Sequence, residues 1–190
     1  MPAAKRISKE AIIDAAAAVL RTGGFEAINA RSVAKALGCS TQPIYLSFRN
    51  MEELKSALTQ RAIEQHTQRV RESLRAHEGR DSRYSSYGMG FVQFAAQEKQ
   101  LFRWLYLEDN QPGRQQEDVL EPEIIRTVMD EFGYDEVTAR AFHRDMTYYS
   151  YGLAILANTG HLALTETELR EAFRREFRAL AAYYGPPKKL

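Results

Sequence analysis

Apolar residues in this chain recur at intervals of three and four between residues suited to capping. That pattern supports helices and leaves no alternating run for a strand. Ile12, Ala16, Val19 and Leu20 share one face of a helix that Ser8 can cap and Gly23-Gly24 can end. Asn29 can cap a short helix carrying Val33, Ala34 and Leu37, stopped at Gly38. Ser40 can cap another over residues 41–48. Asn50 and Glu53 form a capping-box pattern opening a long polar helix to about residue 77, with a break over 78–82. Helices follow over 83–96 and 97–108. Residues 109–116, containing Pro112-Gly113, read as a loop, and Pro122 fits the first turn of a helix ending near Gly133. Asp135 caps a helix through 158, and Thr165 with Glu168 opens the last one, to 184. The expected fold is all-α with about nine helices. A boundary near residue 50 separates an N-terminal domain, 1–50, from a helical domain, 51–190.

Composition narrows the classes further. The chain has 190 residues, and its apolar runs fall short of the ~20 residues a membrane span needs. Its first residues lack an apolar signal core, so the expectation is a soluble cytoplasmic protein with no membrane partner. Cys39 is the single cysteine, which excludes an internal disulfide and a cysteine zinc cage. No metalloprotease, nucleophile-elbow, phosphate-loop or dinucleotide signature occurs. His66, His77, His143 and His161 are read as surface or satisfied polar residues. The expectation is therefore no enzyme, no metal and no cofactor. The net charge of +1 is unevenly spread: residues 1–60 carry +3 and the remainder −2. Between Ala27 and Met51 there is no acid beside Arg31, Lys35 and Arg49, which favours a polyanionic partner.

Residues 29–48 spell helix, glycine turn, helix, the pattern of a helix-turn-helix. Val33, Leu37, Ile44 and Phe48 can form its shared core. The start of the second helix is then left for the major groove. Candidate DNA contacts are Arg31, Ser40, Thr41, Gln42, Pro43, Tyr45, Ser47 and Arg49. Gln42 suits adenine and Arg31 suits guanine. Pro43 and the Thr41 methyl suit thymine, and Ser40 suits a phosphate.

The segments IIDAAAAVLRTGGFEAINARSVAKALGCS, IYLSF and NMEEL together resemble the TetR/AcrR family of bacterial regulators. The resemblance covers about a third of the chain. It implies a dimer, a double-stranded DNA operator and a divergent C-terminal domain that binds a small-molecule effector. Tyr45 keeps the family's aromatic. Met51 stands where the family usually has lysine, and Ser47 where it usually has histidine or tyrosine. Both departures remove phosphate contacts and lower the expected salt dependence of DNA binding.

Nine of the ten tyrosines lie beyond residue 60. Tyr87, Phe91, Phe94, Phe102, Tyr106, Met129, Phe142, Met146 and Tyr149 are candidates to line an apolar pocket. Leu169, Phe173, Phe177, Leu180 and Tyr184 form a stripe on the last helix, and Gly152 permits close helix approach. These six are candidates for a homodimer interface, which the family builds as a four-helix bundle. The sequence points to a one-component, ligand-released transcriptional repressor. Two alternatives remain: a helical small-molecule-binding protein or enzyme with a fortuitous helix-turn-helix, and a DNA-binding protein without a ligand.

Overall fold

The computed structural model describes residues 7–75, 82–108 and 112–185; the side chains of 73–75 and 112–118 are outside that description. Among the described residues there are nine α-helices and no strand. They are α1 (Lys9–Gly23), α2 (Ala30–Leu37), α3 (Gln42–Ser47), α4 (Met51–Arg75), α5 (Arg83–Gln97), α6 (Lys99–Phe102), α7 (Pro112–Phe132), α8 (Glu136–Thr159) and α9 (Glu166–Tyr184). None is long and apolar enough to cross a membrane.

The described residues form two compact units. The first comprises those up to Gln65 together with those from Gln100 through Gly113; the second comprises the rest. The division falls inside α4.

In the first unit, Ser8 Oγ accepts the Ala11 N–H at 3.1 Å and starts α1. Asn29 Oδ1 accepts the N–H groups of Arg31 and Ser32 and starts α2. Gly38 ends α2 at φ +66°, a left-handed position that a side chain would strain. Residues 38–41 then turn the chain into α3. A six-residue helix is unstable alone. Ile44 and Phe48 fix this one by burying fully against Ile12, Leu20, Val33 and Leu54. Burial of each such side chain is worth about 1.5–3 kcal/mol. Phe25, in the 3₁₀ turn Phe25–Ala27, stacks on Trp104 with centroids 3.3 Å apart and planes 7° from parallel. Trp104 Nε1 donates to Thr59 Oγ1 at 3.1 Å, and Lys55 Nζ lies 4.8 Å from the Phe25 centroid. These contacts bring the segment after α6 into the first unit.

In the second unit, α5 lies along α8, and α9 packs on both. The Glu131 carboxylate accepts the backbone N–H groups of Arg83 and Tyr84, so a negative charge sits at the start of α5. Phe132, Tyr134, Phe142 and Phe177 form an aromatic nest with centroids 4.8–6.3 Å apart. Asn158, buried on α8, donates through Nδ2 to the carbonyls of Ala95 and Lys99.

Several local expectations change. Thr41, not Ser40, is the residue before α3, and it makes no side-chain capping bond. Asn50 Oδ1 does accept the Glu53 N–H. The Glu53 carboxylate, however, accepts from the Arg49 N–H at 2.9 Å, one residue earlier than the box pattern requires. The expected boundary between the 83–96 and 97–108 helices falls at Glu98 (φ −106°, ψ 56°), where Asn158 holds carbonyls on both sides. The chain then runs through α6 into a π-turn, Arg103–Leu107, in which the Glu108 N–H reaches the Arg103 carbonyl. Helix α7 begins at Pro112 inside the expected loop, and Pro122 lies in its interior. An interior proline costs about 3 kcal/mol. Burial of Leu120, Ile124, Val128 and Phe132 along the helix offsets that cost. The expected end of α4 near 77 and most of the 78–82 break lie outside the described residues.

Gly88 on α5 lets α9 approach closely: a Cβ there would stand 2.7 Å from Phe173 Cε1. Gly88→Val is expected to destabilise the chain by at least about 2 kcal/mol through overpacking. Urea denaturation followed by circular dichroism measures this; an unchanged midpoint would show that Phe173 has room to retreat.

Candidate nucleic-acid interface and internal cavities

The helix-turn-helix presents one polar surface because its apolar residues are used inside. Val33, Ala34, Ile44 and Phe48 are buried. Arg31 and Lys35 on α2 are exposed, as are Ser40, Gln42, Tyr45 and Arg49; Thr41, Pro43 and Ser47 are partly exposed. All eight candidate DNA contacts therefore lie at the surface, on α2, on α3 and in the turns beside them. Arg49 is not independent: its Nε lies 3.1 Å from a Glu53 oxygen, and Lys9 Nζ lies 3.6 Å from the other. The Arg49 backbone N–H and guanidinium hold the Glu53 carboxyl below its usual range. Cys39 Sγ lies 3.2 Å from the Ser40 carbonyl oxygen, inside the turn. Leu46, absent from the candidate contacts, is 80% exposed on the same short helix. An apolar side chain with no packing partner within a polar recognition helix was the signal for it.

The aromatic candidates of the second domain separate into different roles. Tyr87, Phe91 and Met146 line one small chamber of about 20 Å³, together with Tyr84, Gly88, His143, Ser150 and Phe173. Phe94 lines a larger open cleft and packs against the His66 ring, with centroids 4.3 Å apart. Phe142 is fully buried in the aromatic nest. Tyr149 donates to the Ala172 carbonyl, and Met129 is half-buried on α7. Phe102 and Tyr106 are buried in the segment that groups with the first unit, with centroids 5.2 Å apart. Tyr84, Gly88, His143 and Ser150 were not among the candidates. Their signal was helical register: 84, 87, 88 and 91 on α5, and 143, 146, 147 and 150 on α8, each make one face.

The chamber is polar in places but carries no charge. Tyr84 Oη lies 2.9 Å from His143 Nδ1, so His143 is a satisfied side chain. Burial pushes His143 down to about 4 and keeps the Tyr84 phenol protonated. With the phenol donating, Nδ1 accepts and the ring proton sits on Nε2.

The expected interface stripe on α9 is largely used within the chain. Leu169 and Phe173 are buried, and Phe177 packs on Phe132 and Phe142. Leu180 is partly buried, and Tyr184 donates to Asp145. The exposed large apolar residues of α8 and α9 are Val137, Tyr148, Ile155, Leu156 and Tyr183. Gly152 is exposed on the same α8 face as Tyr148 and Ile155, and a Cβ there would meet nothing within 4 Å.

Comparison with known proteins agrees with this geometry. Residues 12–58 match the model of the bacterial regulatory proteins of the tetR family. The whole fold is similar to that of a crystal structure described as a TetR-family transcriptional regulator from Mesorhizobium loti. That match has a TM-score of 0.64 at 13% identity, over 92% of this chain and 95% of that one. It is also similar to the fatty acid degradation regulator FadR from Bacillus halodurans (TM-score 0.57, 18% identity, 96% and 97% covered). A third similar structure is SmeT, the repressor of the Stenotrophomonas maltophilia multidrug efflux pump SmeDEF (TM-score 0.56, 16% identity, 96% and 95% covered). None of the curated proteins compared with the chain matches it by sequence.

Two histidines, His66 buried and His143 partly buried, set a pH dependence. His66 is lowered to about 4 by burial and by Arg69, and His143 to about 4 by burial. Both take up protons more readily unfolded, near 6.5, so stability falls as pH drops from 6.5 towards 4. The loss is on the order of 3 kcal/mol for each residue at the acid end. Chemical denaturation of wild type and His143→Gln at pH 7.5 and pH 5 checks it. The variant should lose less on acidification; equal losses would exclude His143 as a contributor.

Proposed function

From a chain whose residues 12–58 carry the domain of the TetR family of bacterial regulatory proteins, we propose a dimeric transcriptional repressor. It binds a palindromic operator and is released by a small apolar or aromatic molecule. The observation that carries this reading is the division of labour in α3. Ile44 is buried to anchor the helix, while Gln42, Tyr45 and Leu46 are exposed beside the acid-free, cation-bearing surface of α2. A core-facing helix of six residues has no reason to keep Leu46 in water unless another surface covers it.

One recognition helix reaches too few base pairs for strong discrimination, so the physical expectation is a C2 dimer with two helices in successive major grooves, about 34–36 Å apart. The exposed α8 face of Tyr148, Gly152 and Ile155 supports a helix-on-helix contact with a second copy, because glycine lets two backbones approach. The α9 residues of the expected stripe then act behind this face, holding it to the unit's own core.

Release by ligand requires an element common to both units. Helix α4 contributes Met51 through Gln65 to the first and begins the second at His66. A molecule that binds the second unit better in one setting of α4 shifts the DNA-binding equilibrium by its differential affinity, typically ~1–3 kcal/mol. The uncharged, aromatic chamber supports an apolar effector.

Selection of duplexes from a random pool with the purified protein supplies an operator, and fluorescence anisotropy then measures affinity. Gln42→Ala should lose about 1–3 kcal/mol on the selected duplex. Its salt dependence should stay unchanged, because a base contact is removed and no phosphate contact. Gly152→Arg should sediment as a monomer and lose most operator affinity. Equal binding of wild type to selected and scrambled duplexes would falsify the regulator reading.

A further inference from the structure

Tyr87 on α5 lines three cavities of the second unit: the small chamber, a larger cleft between α4 and α5, and a hollow beside α7 and α8. The chamber, at about 20 Å³, has room for about one water. The α4–α5 cleft measures about 430 Å³. We propose that Tyr87 is the movable partition of a two-compartment effector site. It takes an uncharged amphipathic molecule, with an aromatic end in the chamber and a hydrogen-bonding head in the α4–α5 cleft. This inference rests on the reading that the second unit binds a small apolar effector; it adds where the two ends go and which side chain admits them.

The chamber's walls fit the aromatic end. Phe91, Met146 and Phe173 supply apolar surface, and no charged side chain lines it. Its edge is held by the Tyr84–His143 hydrogen bond, and burial keeps both groups neutral, so no ionic attraction favours a charged ligand there. As it stands, the chamber cannot take a ring. Its aromatic walls are locked by other contacts: Phe173 lies against Gly88 and edge-on to Tyr149. Tyr87 is partly exposed, and its ring lies 6.4 Å from that of Tyr84 and 6.3 Å from that of His143, contacts it gives up in turning outward so that chamber and cleft join.

The cleft's walls fit a head without net charge. Arg69 stands there with Glu72 and Glu98, so a single anion gains from one and is repelled by two. Gln93 and Gln97 on α5 offer amide donors and acceptors from exposed positions. His66 and Phe94 close the inner end. The His66 and Arg69 positions belong to α4, so a head seated here touches the helix that serves both units.

Two dyes with the same rings test this: N-phenyl-1-naphthylamine, which is uncharged, and 1-anilinonaphthalene-8-sulfonate, which carries an anion. Binding is titrated by fluorescence against the full chain, Tyr87→Ala, Tyr87→Phe and Gln93→Lys, with melting curves confirming folding. Wild type should bind the neutral dye at least about 5-fold more tightly than the sulfonate, at one site per chain. Tyr87→Ala removes the partition and should tighten the neutral dye about 10-fold or more; Tyr87→Phe keeps the ring and should match wild type. Gln93→Lys, at an exposed position, should shift the preference towards the sulfonate about 5-fold. It decides the matter alone if Tyr87→Ala does not fold. Saturable wild-type binding that neither substitution alters overturns the partition and leaves the effector reading standing. A gain with Tyr87→Ala but an unchanged dye ratio in Gln93→Lys overturns the placement of the head. No saturable binding of either dye to any of the four proteins overturns both readings.

Discussion

Burial of Ile44 and Phe48 is the constraint on which the exposed surface of the helix-turn-helix depends. Helix α3 has six residues, too few to persist by its own hydrogen bonds. Its position is set by two side chains seated among Ile12, Leu20, Val33 and Leu54. Once those are fixed, helical geometry turns Gln42, Tyr45 and Leu46 outward. The polar surface is thus a by-product of an apolar core, and its rigidity comes from α1, α2 and α4 rather than from α3 itself.

Caps were the most legible part of the sequence. Ser8, Asn29, Asp135 and Thr165 each begin the helix their side chains suggest, because a capping oxygen acts on backbone two or three residues away. Gly38 was legible for the same local reason. The misread segments are those governed by distant partners. Pro122 looked like a helix start because the buried aliphatic face that carries the helix through it is a tertiary property. The return of Trp104 to the first unit depends on Phe25, a pairing that leaves no trace in local periodicity.

The second unit shows the same limit in its aromatic residues. Composition announces that many rings must pack, but not which rings meet a cavity. Phe142 and Phe177 serve the nest, Phe91 and Phe173 the chamber, and Phe94 the cleft. Of the stripe on α9, Leu169 and Phe173 are buried within the chain, while Phe177, Leu180 and Tyr184 are partly buried. Periodicity identifies a face; it does not say whether that face meets the same chain or another. On α8 the exposed side carries Tyr148 and Ile155.

Trp104 is the chain's single tryptophan, and its indole is stacked on Phe25 and hydrogen-bonded to Thr59. Its emission therefore comes from one environment, inside the unit that carries the helix-turn-helix. Aromatic stacking and a bonded indole N–H make the spectrum sensitive to small displacements of the 3₁₀ turn or of α4 at Thr59. The chain thus contains its own optical gauge of the helix-turn-helix unit, readable without a label while a colourless compound is added.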